Sequence, residues 1–270
     1  MIQVNKWLNK QHYSFDDLLQ IMKLLRGENG CPWDREQTHT SIRNNLLEEA
    51  YETADAIDRL NDKDMTEELG DLLMQIVFHS QIAEERGAFS IDDVTDTVCK
   101  KLIYRHPHVF GDVNVSDSND VLENWDKLKN KEKNMQSYSQ TLDAVPKAFP
   151  SCMRAQKIQK RATKAGYDFE SAEAAIEKVE EELFELKNAI KGNSPEHSKD
   201  ELGDLLFSVI NVARFLDCDA EEQLNTATEK FVSRFKKAEV LANQEGMRLD
   251  LLSADELDTF WVKAKLLELK

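Results

Sequence analysis

The sequence predicts an all-α fold made of two tandem, repeated helical-bundle domains. Apolar residues recur at helical spacing through almost the whole chain. The 270 residues include only 9 glycines and 5 prolines, too few for the turns of a β fold or of a series of βα units. An acidic pattern also occurs once in each half, which indicates that the two halves share one fold.

Ten segments have the periodicity of amphipathic helices. In the first half they are 14–27, 37–61, 64–86, 90–105 and 118–133. In the second half they are 150–165, 171–192, 195–217, 219–245 and 253–269. Three of them start at a serine followed three positions later by an acid, the capping-box pattern. These pairs are Ser14 with Asp17, Ser90 with Asp93, and Ser253 with Glu256.

Between the two groups of helices lies a polar stretch that ends with Pro146 and Pro150. Such a composition is typical of a linker between domains. We therefore expect an N-terminal domain at 1–133, a linker at 134–146 and a C-terminal domain at 147–270.

The composition argues against several classes of protein. With 35 basic and 51 acidic residues the net charge is −16, so binding to nucleic acid is not expected. No run approaches the ~20 apolar residues of a membrane span, and the first residues lack the apolar core of a signal peptide. The four cysteines form no CxxC pair. We expect a soluble, cytoplasmic protein that binds neither membranes nor nucleic acid.

The acidic pattern reads Glu-Glu-x-x-Glu on one predicted helix and Glu-x-Gly-Asp on the next. Glu48 and Glu181 are 133 positions apart, and the same shift superposes the other acids of the pattern. We call the two copies the first and the second acidic cluster. The first comprises Glu48, Glu49, Glu52, Glu68 and Asp71, and the second comprises Glu181, Glu182, Glu185, Glu201 and Asp204.

Residues three or four positions apart share a helical face. If the two helices of each half pack antiparallel, the carboxylates converge, and they repel one another unless a cation lies among them. The glycine between Glu201 and Asp204 is expected to allow close backbone approach. Carboxylate ligands on rigid helices favour Mg²⁺, with Mn²⁺ as a substitute. The predicted metal ligands are Glu182, Glu185, Glu201 and Asp204, and in the first half Glu49, Glu52, Glu68 and Asp71.

The alternative is that these acids only solvate helix surfaces. Two observations favour a metal site. The second acidic cluster is surrounded by apolar residues, since Leu202 precedes Asp204 and Leu-Leu-Phe follows it, and carboxylates in such surroundings usually need a partner. The whole pattern also recurs at one fixed shift.

Basic and aromatic residues recur in the same order in both halves. Lys230 and Arg234 lie one helical turn apart, as do Trp261 and Lys265. Lysine and arginine neutralise a polyphosphate, and an aromatic ring stacks on a nucleobase. We therefore predict that these four residues bind substrate. Their counterparts in the first half are Lys101 with Arg105 and Trp125 with Lys129.

Several strings resemble the MazG family of tandem-domain nucleoside triphosphate pyrophosphohydrolases. They are LLEEAYE, EELGDLL, CPWDREQTH and RHPHVFGD in the first half, and KRATKAGYDF, EEELFEL and DELGDLLFSVINVARF in the second. The resemblance covers nearly the whole chain. It implies helical domains that associate as a homodimer, Mg²⁺ dependence, and cleavage of nucleoside triphosphates to monophosphate and pyrophosphate, with nucleotide-pool housecleaning as the role.

Carried over by position, the resemblance supports the predicted metal ligands. It matches Glu181, with Glu48 as its counterpart, to the extra acid that completes the cluster or orients water. A carboxylate that is not fully used as a ligand can take the proton of that water, and Glu181 is the predicted one. It also matches Lys230, Arg234 and Lys265 to positions suited to the triphosphate, with Trp261 beside them. One departure is Asp200 before Glu201, where the first half has Glu67 before Glu68; the ligand glutamate itself is intact.

Two differences favour the C-terminal half as the main hydrolytic site. Asn211 stands where the first half has Phe78, and only asparagine can hydrogen-bond a sugar or a base. Lys101 and Arg105 run into Pro107, which should end their helix. Two other functions remain open: a narrow-specificity enzyme similar to dUTPases, and a non-catalytic regulatory protein that binds metal or nucleotide.

Overall fold

The computed structural model describes residues 5–8, 10–132 and 135–267, without the side chains of residues 5, 6, 119, 122, 123 and 126. Within these ranges every regular element is a helix and no strand occurs, so the all-α prediction is confirmed. The chain divides into two compact units, Met1–Lys129 and Asn130–Lys270. No helix of the described ranges is long and apolar enough to cross a membrane.

The helices of the described residues follow one another with short connections. They are α1 (Asn5–Leu8), α2 (Phe15–Arg26), α3 (Pro32–Glu36), α4 (Arg43–Asp58), α5 (Asp62–Glu85), α6 (Ile91–Arg105), α7 (Pro107–Phe110), α8 (Ser118–Glu132), α9 (Tyr138–Asp143), α10 (Ser151–Ala162), α11 (Ala172–Lys191), α12 (Pro195–Phe215), α13 (Ala220–Gln244) and α14 (Ala254–Leu267). Short 3₁₀ turns lie at Thr163–Ala165 and Leu249–Leu251.

The ten predicted helices are present, and one starts later than expected. The prediction at 37–61 corresponds to α4, which begins at Arg43. The backbone N–H of Thr38 donates to Ser41 Oγ at 2.9 Å, and that of Ser41 donates to Thr38 Oγ1 at 3.2 Å. Such local bonds compete with helix formation. The predicted helical positions 133, 268 and 269 lie outside the described residues.

Four of the observed helices, α1 among them, were not predicted, because they are too short to show periodicity. Two of them, α3 and α7, begin with a proline at the first position, where the missing N–H costs no intrahelical bond. The last of them, α9, lies in the predicted linker and packs against α10 within the second unit. The domain boundaries themselves stay a prediction.

The three predicted capping boxes are confirmed. In each, the serine hydroxyl accepts from the backbone N–H three positions on, and that residue's carboxylate accepts from the serine backbone N–H. They fix the starts of α2, α6 and α14.

Two helical hairpins carry the acidic clusters. In the first unit α4 packs against α5, and in the second α11 packs against α12. Both hairpins turn through a residue in the left-handed region, Leu60 with φ 52° and Asn193 with φ 51°. These two residues are also 133 positions apart, so the repeat extends to the backbone of the turn.

Each unit has its own apolar core. In the first unit the buried residues come from α2, α5 and the residue before α4; they are Met22, Ile42, Val77, Phe78 and Ile82. In the second unit a cluster joins α13 to α14; it contains Ala238, Ala242, Phe260 and Ala264.

Candidate metal centres and substrate site

The hairpin of α11 and α12 brings the second acidic cluster together. One carboxylate oxygen each of Glu182, Glu201 and Asp204 lie within 4.8 Å of one another, and so do oxygens of Glu181, Glu182 and Glu185. Glu182, shared by both triplets, is only 6% exposed. The side chain of Glu201 is 12% exposed. The expected convergence of antiparallel helices therefore occurs.

The crowding of these carboxylates affects the pKa of Glu185. The pKa of Glu185 lies above its usual value, first because of burial and then because of the charges of Glu201 and Glu182. Both causes disfavour the ionised form. A cation among the carboxylates would relieve them, and an all-oxygen donor set suits Mg²⁺ or Mn²⁺. The residues present thus fit the metal that the sequence predicts.

Lys178 is a member of this site that the sequence analysis missed. Its Nζ donates to Glu181 Oε1 at 2.7 Å and lies 2.7 Å from Glu182 Oε1. Hydrogen bonds to Glu181 and Glu182 raise the pKa of Lys178 above its usual value. Its position three and four residues before these glutamates was the signal that could have found it. The imidazole of His197 also lies at this cluster, with Nδ1 3.4 Å from Glu201 Oε1.

The hairpin of α4 and α5 assembles the first acidic cluster in a related way. Oxygens of Glu49, Glu52 and Glu68 lie within 4.8 Å of one another. Burial and then the charge of Asp71 raise the pKa of Glu49. A hydrogen bond with the Gln75 side chain offsets part of this rise. Asp71 is therefore near the triplet without belonging to it.

Glu68 shows the same crowding. Burial and then the charges of Glu52 and Asp71 raise its pKa. Glu48 is exposed and, among the described residues, is not part of the triplet. Glu181 therefore belongs to a triplet of the second cluster, whereas its counterpart Glu48 lies outside the triplet of the first.

Among the described residues, the Lys178 counter-charge of the second cluster has no equivalent in the first. Across the described part of the chain, no ion pair involves Glu49, Glu52, Glu68 or Asp71. The position that matches Lys178 is Asn45. The position that matches His197 is Asp64, whose charge further raises the pKa of Glu68.

The glycine of the acidic pattern does not serve the role expected of it. A Cβ built on Gly203 or on Gly70 would meet nothing within 4 Å. The expectation that this glycine allows close backbone approach is therefore wrong within each unit, because the partner helix of the hairpin packs on another face.

The four predicted substrate residues lie on another hairpin. Lys230 and Arg234 belong to α13, and Trp261 and Lys265 belong to α14. These two helices pack together, and α13 also contacts α10 and α12. The rings of Trp261 and Phe231 lie 5.0 Å apart. The structure thus places the four residues on two helices that pack together, and their role toward a triphosphate stays a prediction.

Their counterparts in the first unit are differently used. Arg105 is the last residue of α6, and α7 starts at Pro107, so the predicted helix end at Pro107 is confirmed. Arg105 is only 6% exposed, and its guanidinium lies over the Trp125 ring at 5.3 Å. This arginine is therefore committed to a cation–π contact.

Asn211 lines a cavity of about 440 Å³ in the second unit. Its Oδ1 accepts a hydrogen bond from Arg214 Nε at 3.1 Å. The matching residue of the first unit, Phe78, is 4% exposed and belongs to the core. The difference expected from the sequence is therefore present in the structure: one unit has a polar amide at a cavity and the other a buried ring.

Comparison with known proteins shows the family. The MazG nucleotide pyrophosphohydrolase domain matches twice, at residues 37–110 and 170–238, and each match contains one acidic cluster. An all-α fold with a duplicated carboxylate site defines a class of proteins suited to divalent cations and phosphorylated ligands. The chain belongs to the MazG family.

Relatives support the same membership. A protein of Thermotoga maritima named nucleoside triphosphate pyrophosphohydrolase/pyrophosphatase MazG is 47% identical, covering 93% of this chain and 95% of the relative. A nucleoside triphosphate pyrophosphohydrolase of Escherichia coli K12 is 40% identical, covering 93% and 96%. The uncharacterised protein YabN of Bacillus subtilis is 45% identical over 94% of this chain, which spans about half of it (52%).

Proposed function

We propose that this chain hydrolyses nucleoside triphosphates, NTP or dNTP, to the monophosphate and pyrophosphate, with Mg²⁺ held by the second acidic cluster. The observation that carries the proposal is the pair of carboxylate triplets that share the buried Glu182. Membership of the MazG family and the names of the relatives support the same activity. Housecleaning of the nucleotide pool is the role that such an activity fits.

Four carboxylates would hold the cation: Glu182, Glu185, Glu201 and Asp204. When bound, Mg²⁺ neutralises phosphate charge and lowers the pKa of water, as in other metal-assisted hydrolyses. The same all-oxygen donor set would also hold Mn²⁺ in place of Mg²⁺.

The chain's own residues supply the rest of the chemistry. Glu181 is half-exposed, with 56% of its side chain accessible, so it reaches the solvent from which the attacking water comes. As general base it would take the proton of that water while pyrophosphate leaves. Lys230, Arg234 and Lys265 would neutralise the triphosphate, with Trp261 beside them.

We also infer a homodimer. The α11–α12 hairpin exposes the large apolar side chains of Phe184, Leu202 and Leu206, beyond what an isolated small unit usually leaves in water. Association of two chains would cover them, and light scattering that returned a single-chain mass at micromolar concentration would contradict this inference. A cytoplasmic location likewise stays a prediction.

The test of the activity is product analysis. The protein is incubated with each NTP and dNTP in Mg²⁺, with an EDTA control, and the products are resolved by chromatography. Monophosphate and pyrophosphate in equal amounts are expected, and only with the cation. Diphosphate and orthophosphate would place the attack at the wrong phosphorus and contradict the proposal.

The same panel separates the alternatives. Turnover of dUTP alone would indicate the narrow-specificity enzyme. Nucleotide binding without any turnover would indicate the regulatory protein.

A further inference from the structure

The cavity beside Asn211 lies close to the second acidic cluster along α12. Phe207 and Asn211 follow Asp204 by three and seven residues, which is about 5 and 10 Å along a helix axis. Because seven residues are nearly two full turns, Asn211 lies on the same face as Asp204. A nucleotide with its phosphates at the carboxylates would therefore bring its nucleoside to this cavity.

The walls of the cavity suit a flat, apolar group. They include Ile158, Ala162, Tyr167, Phe169 and Phe207. The volume of about 440 Å³ is within the usual range of small-molecule sites. A ribose would leave several hydroxyl groups without partners against such walls, whereas a nucleobase has apolar faces and a polar edge.

The turn that forms one wall depends on a glycine. Gly166 has a φ of +85°, which a residue with a side chain rarely adopts. This turn places Tyr167, Asp168 and Phe169 at the cavity.

Asp168 and Arg214 form the polar end of the cavity. The guanidinium donates to both carboxylate oxygens, through Nη1 at 3.2 Å to Oδ2 and through Nη2 to Oδ1. Its third group, Nε, donates to Asn211 Oδ1 at 3.1 Å. Because a guanidinium has donors only, Asn211 must turn its oxygen toward Arg214 and its NH₂ group away from it.

Gln159 is a second amide at the cavity with a fixed orientation. Its Nε2 donates to the backbone carbonyl of Phe207 at 2.7 Å. Its Oε1 is buried and, within the described ranges, has no hydrogen-bond partner. A buried acceptor normally has a partner. A bound ligand that donates a hydrogen bond would supply the missing partner of this oxygen.

We propose that this cavity binds the nucleobase of the substrate, that the Asn211 NH₂ group donates to an acceptor on the base edge, and that Asp168 and Arg214 are positioning residues that fix this orientation. The inference rests on the proposed function and deepens it. Gln159 Oε1 accepts from the base, since the edge of each nucleobase presents both an acceptor and a donor.

Among its described residues, the first unit has no equivalent of the Asn211–Arg214 pair. The positions that match Asn211 and Arg214 are Phe78 and Gln81. Phe78 is buried in the core, so this position of the first unit offers no polar group to a ligand. Base recognition is therefore assigned to the second unit.

The experiment compares Asn211→Leu, Asp168→Asn and the double variant in steady-state hydrolysis. Two substrates are used: a nucleoside triphosphate, and ribose 5-triphosphate, which has no base. Asn211→Leu should raise KM for the nucleotide about five- to tenfold with little change in kcat, as expected for loss of one hydrogen bond. The kinetics with ribose 5-triphosphate should stay within about twofold of the unmodified protein.

Asp168→Asn should raise KM for the nucleotide in the same direction, and the double variant should be no worse than Asn211→Leu alone, because residues that act through one another are not additive. The matched control is Asp250→Asn, which breaks an exposed ion pair with Arg248 in the same unit and should change neither KM. Circular dichroism and thermal unfolding confirm that every variant folds.

Three outcomes would overturn the inference. Unchanged KM in Asn211→Leu would place the base elsewhere, for example on Trp261. Equal losses with both substrates would show a structural role. Additive effects in the double variant would show that Asp168 does not act through Asn211. Failure of the proposed function is distinct, since the unmodified protein would then hydrolyse neither substrate.

Discussion

The two acidic clusters have matching carboxylates and different neighbouring side chains. Lys178 and His197 lie against the second cluster, whereas the matching positions of the first are Asn45 and Asp64. Two glutamates of the first cluster, Glu49 and Glu68, have raised pKa values, and in the second cluster Glu185 has one. The same motif, repeated at one spacing, therefore lies in two different electrostatic environments. Residues outside the motif determine the difference.

The surroundings differ in a second respect. Near the second cluster an asparagine lines a cavity, while the matching Phe78 of the first unit fills a core. Arg105 of the first unit is buried against Trp125. We therefore expect the second unit to be the main hydrolytic site, and the first to be structural, regulatory or weakly active.

Removal of one ligand from each cluster should have the largest effect and would break the comparison most directly. Glu185→Gln keeps the shape of the side chain and removes a charge from the second cluster. At saturating Mg²⁺ we expect kcat to fall by about 100-fold or more, since the metal loses a ligand. Glu52→Gln, the matched change in the first cluster, should lower kcat by less than about threefold. Both are assayed for pyrophosphate release after their folding is verified.

The outcome can also reverse the assignment. Loss of turnover only in Glu52→Gln would make the first unit the active one. Comparable losses in both variants would indicate two working sites or coupling between them.

Exchange of the residues that match Lys178 and Asn45 should have an intermediate effect. Lys178→Asn removes the cation beside the buried Glu182, which should destabilise the α11–α12 hairpin in EDTA by about 1 kcal/mol for a partly exposed pair. Asn45→Lys should stabilise the α4–α5 hairpin by about half as much. Hydrogen exchange read by mass spectrometry reports on each hairpin separately.

The control for this exchange is Lys187→Asn, which removes an exposed lysine from the same helix and should have an effect below about 0.5 kcal/mol. Mg²⁺ should reduce the loss in Lys178→Asn, because another cation then neutralises the carboxylates. Equal exchange rates in Lys178→Asn and the unmodified protein would refute an internal counter-charge.

Substitution of the two pattern glycines should have the smallest effect. Gly70→Ala and Gly203→Ala add a methyl group where nothing lies within 4 Å. Each should stabilise its helix by about 0.5–1 kcal/mol and leave turnover within about twofold. Loss of turnover in Gly203→Ala alone would show that the space beside the second cluster is occupied during catalysis, by nucleotide or by a second chain.

Local features of the chain were sufficient to predict the ten longer helices, the capping boxes and the carboxylates that form the triplets of both acidic clusters. The reason is that helices depend on contacts three and four residues apart, and that a repeat at one shift marks equivalent positions. Lys178 could also have been predicted in this way, because it lies only three and four residues before Glu181 and Glu182.

Packing alone decided the rest. Asp168 and Arg214 are 46 residues apart, and no periodicity indicates that they meet and orient Asn211. Burial of Phe78 and of Arg105 depends on which helices pack against α5 and α6, and the exposure of Gly203 depends on which face of α12 its partner covers. Such contacts join distant segments, and their geometry follows from how whole helices pack together rather than from the spacing of residues within one of them.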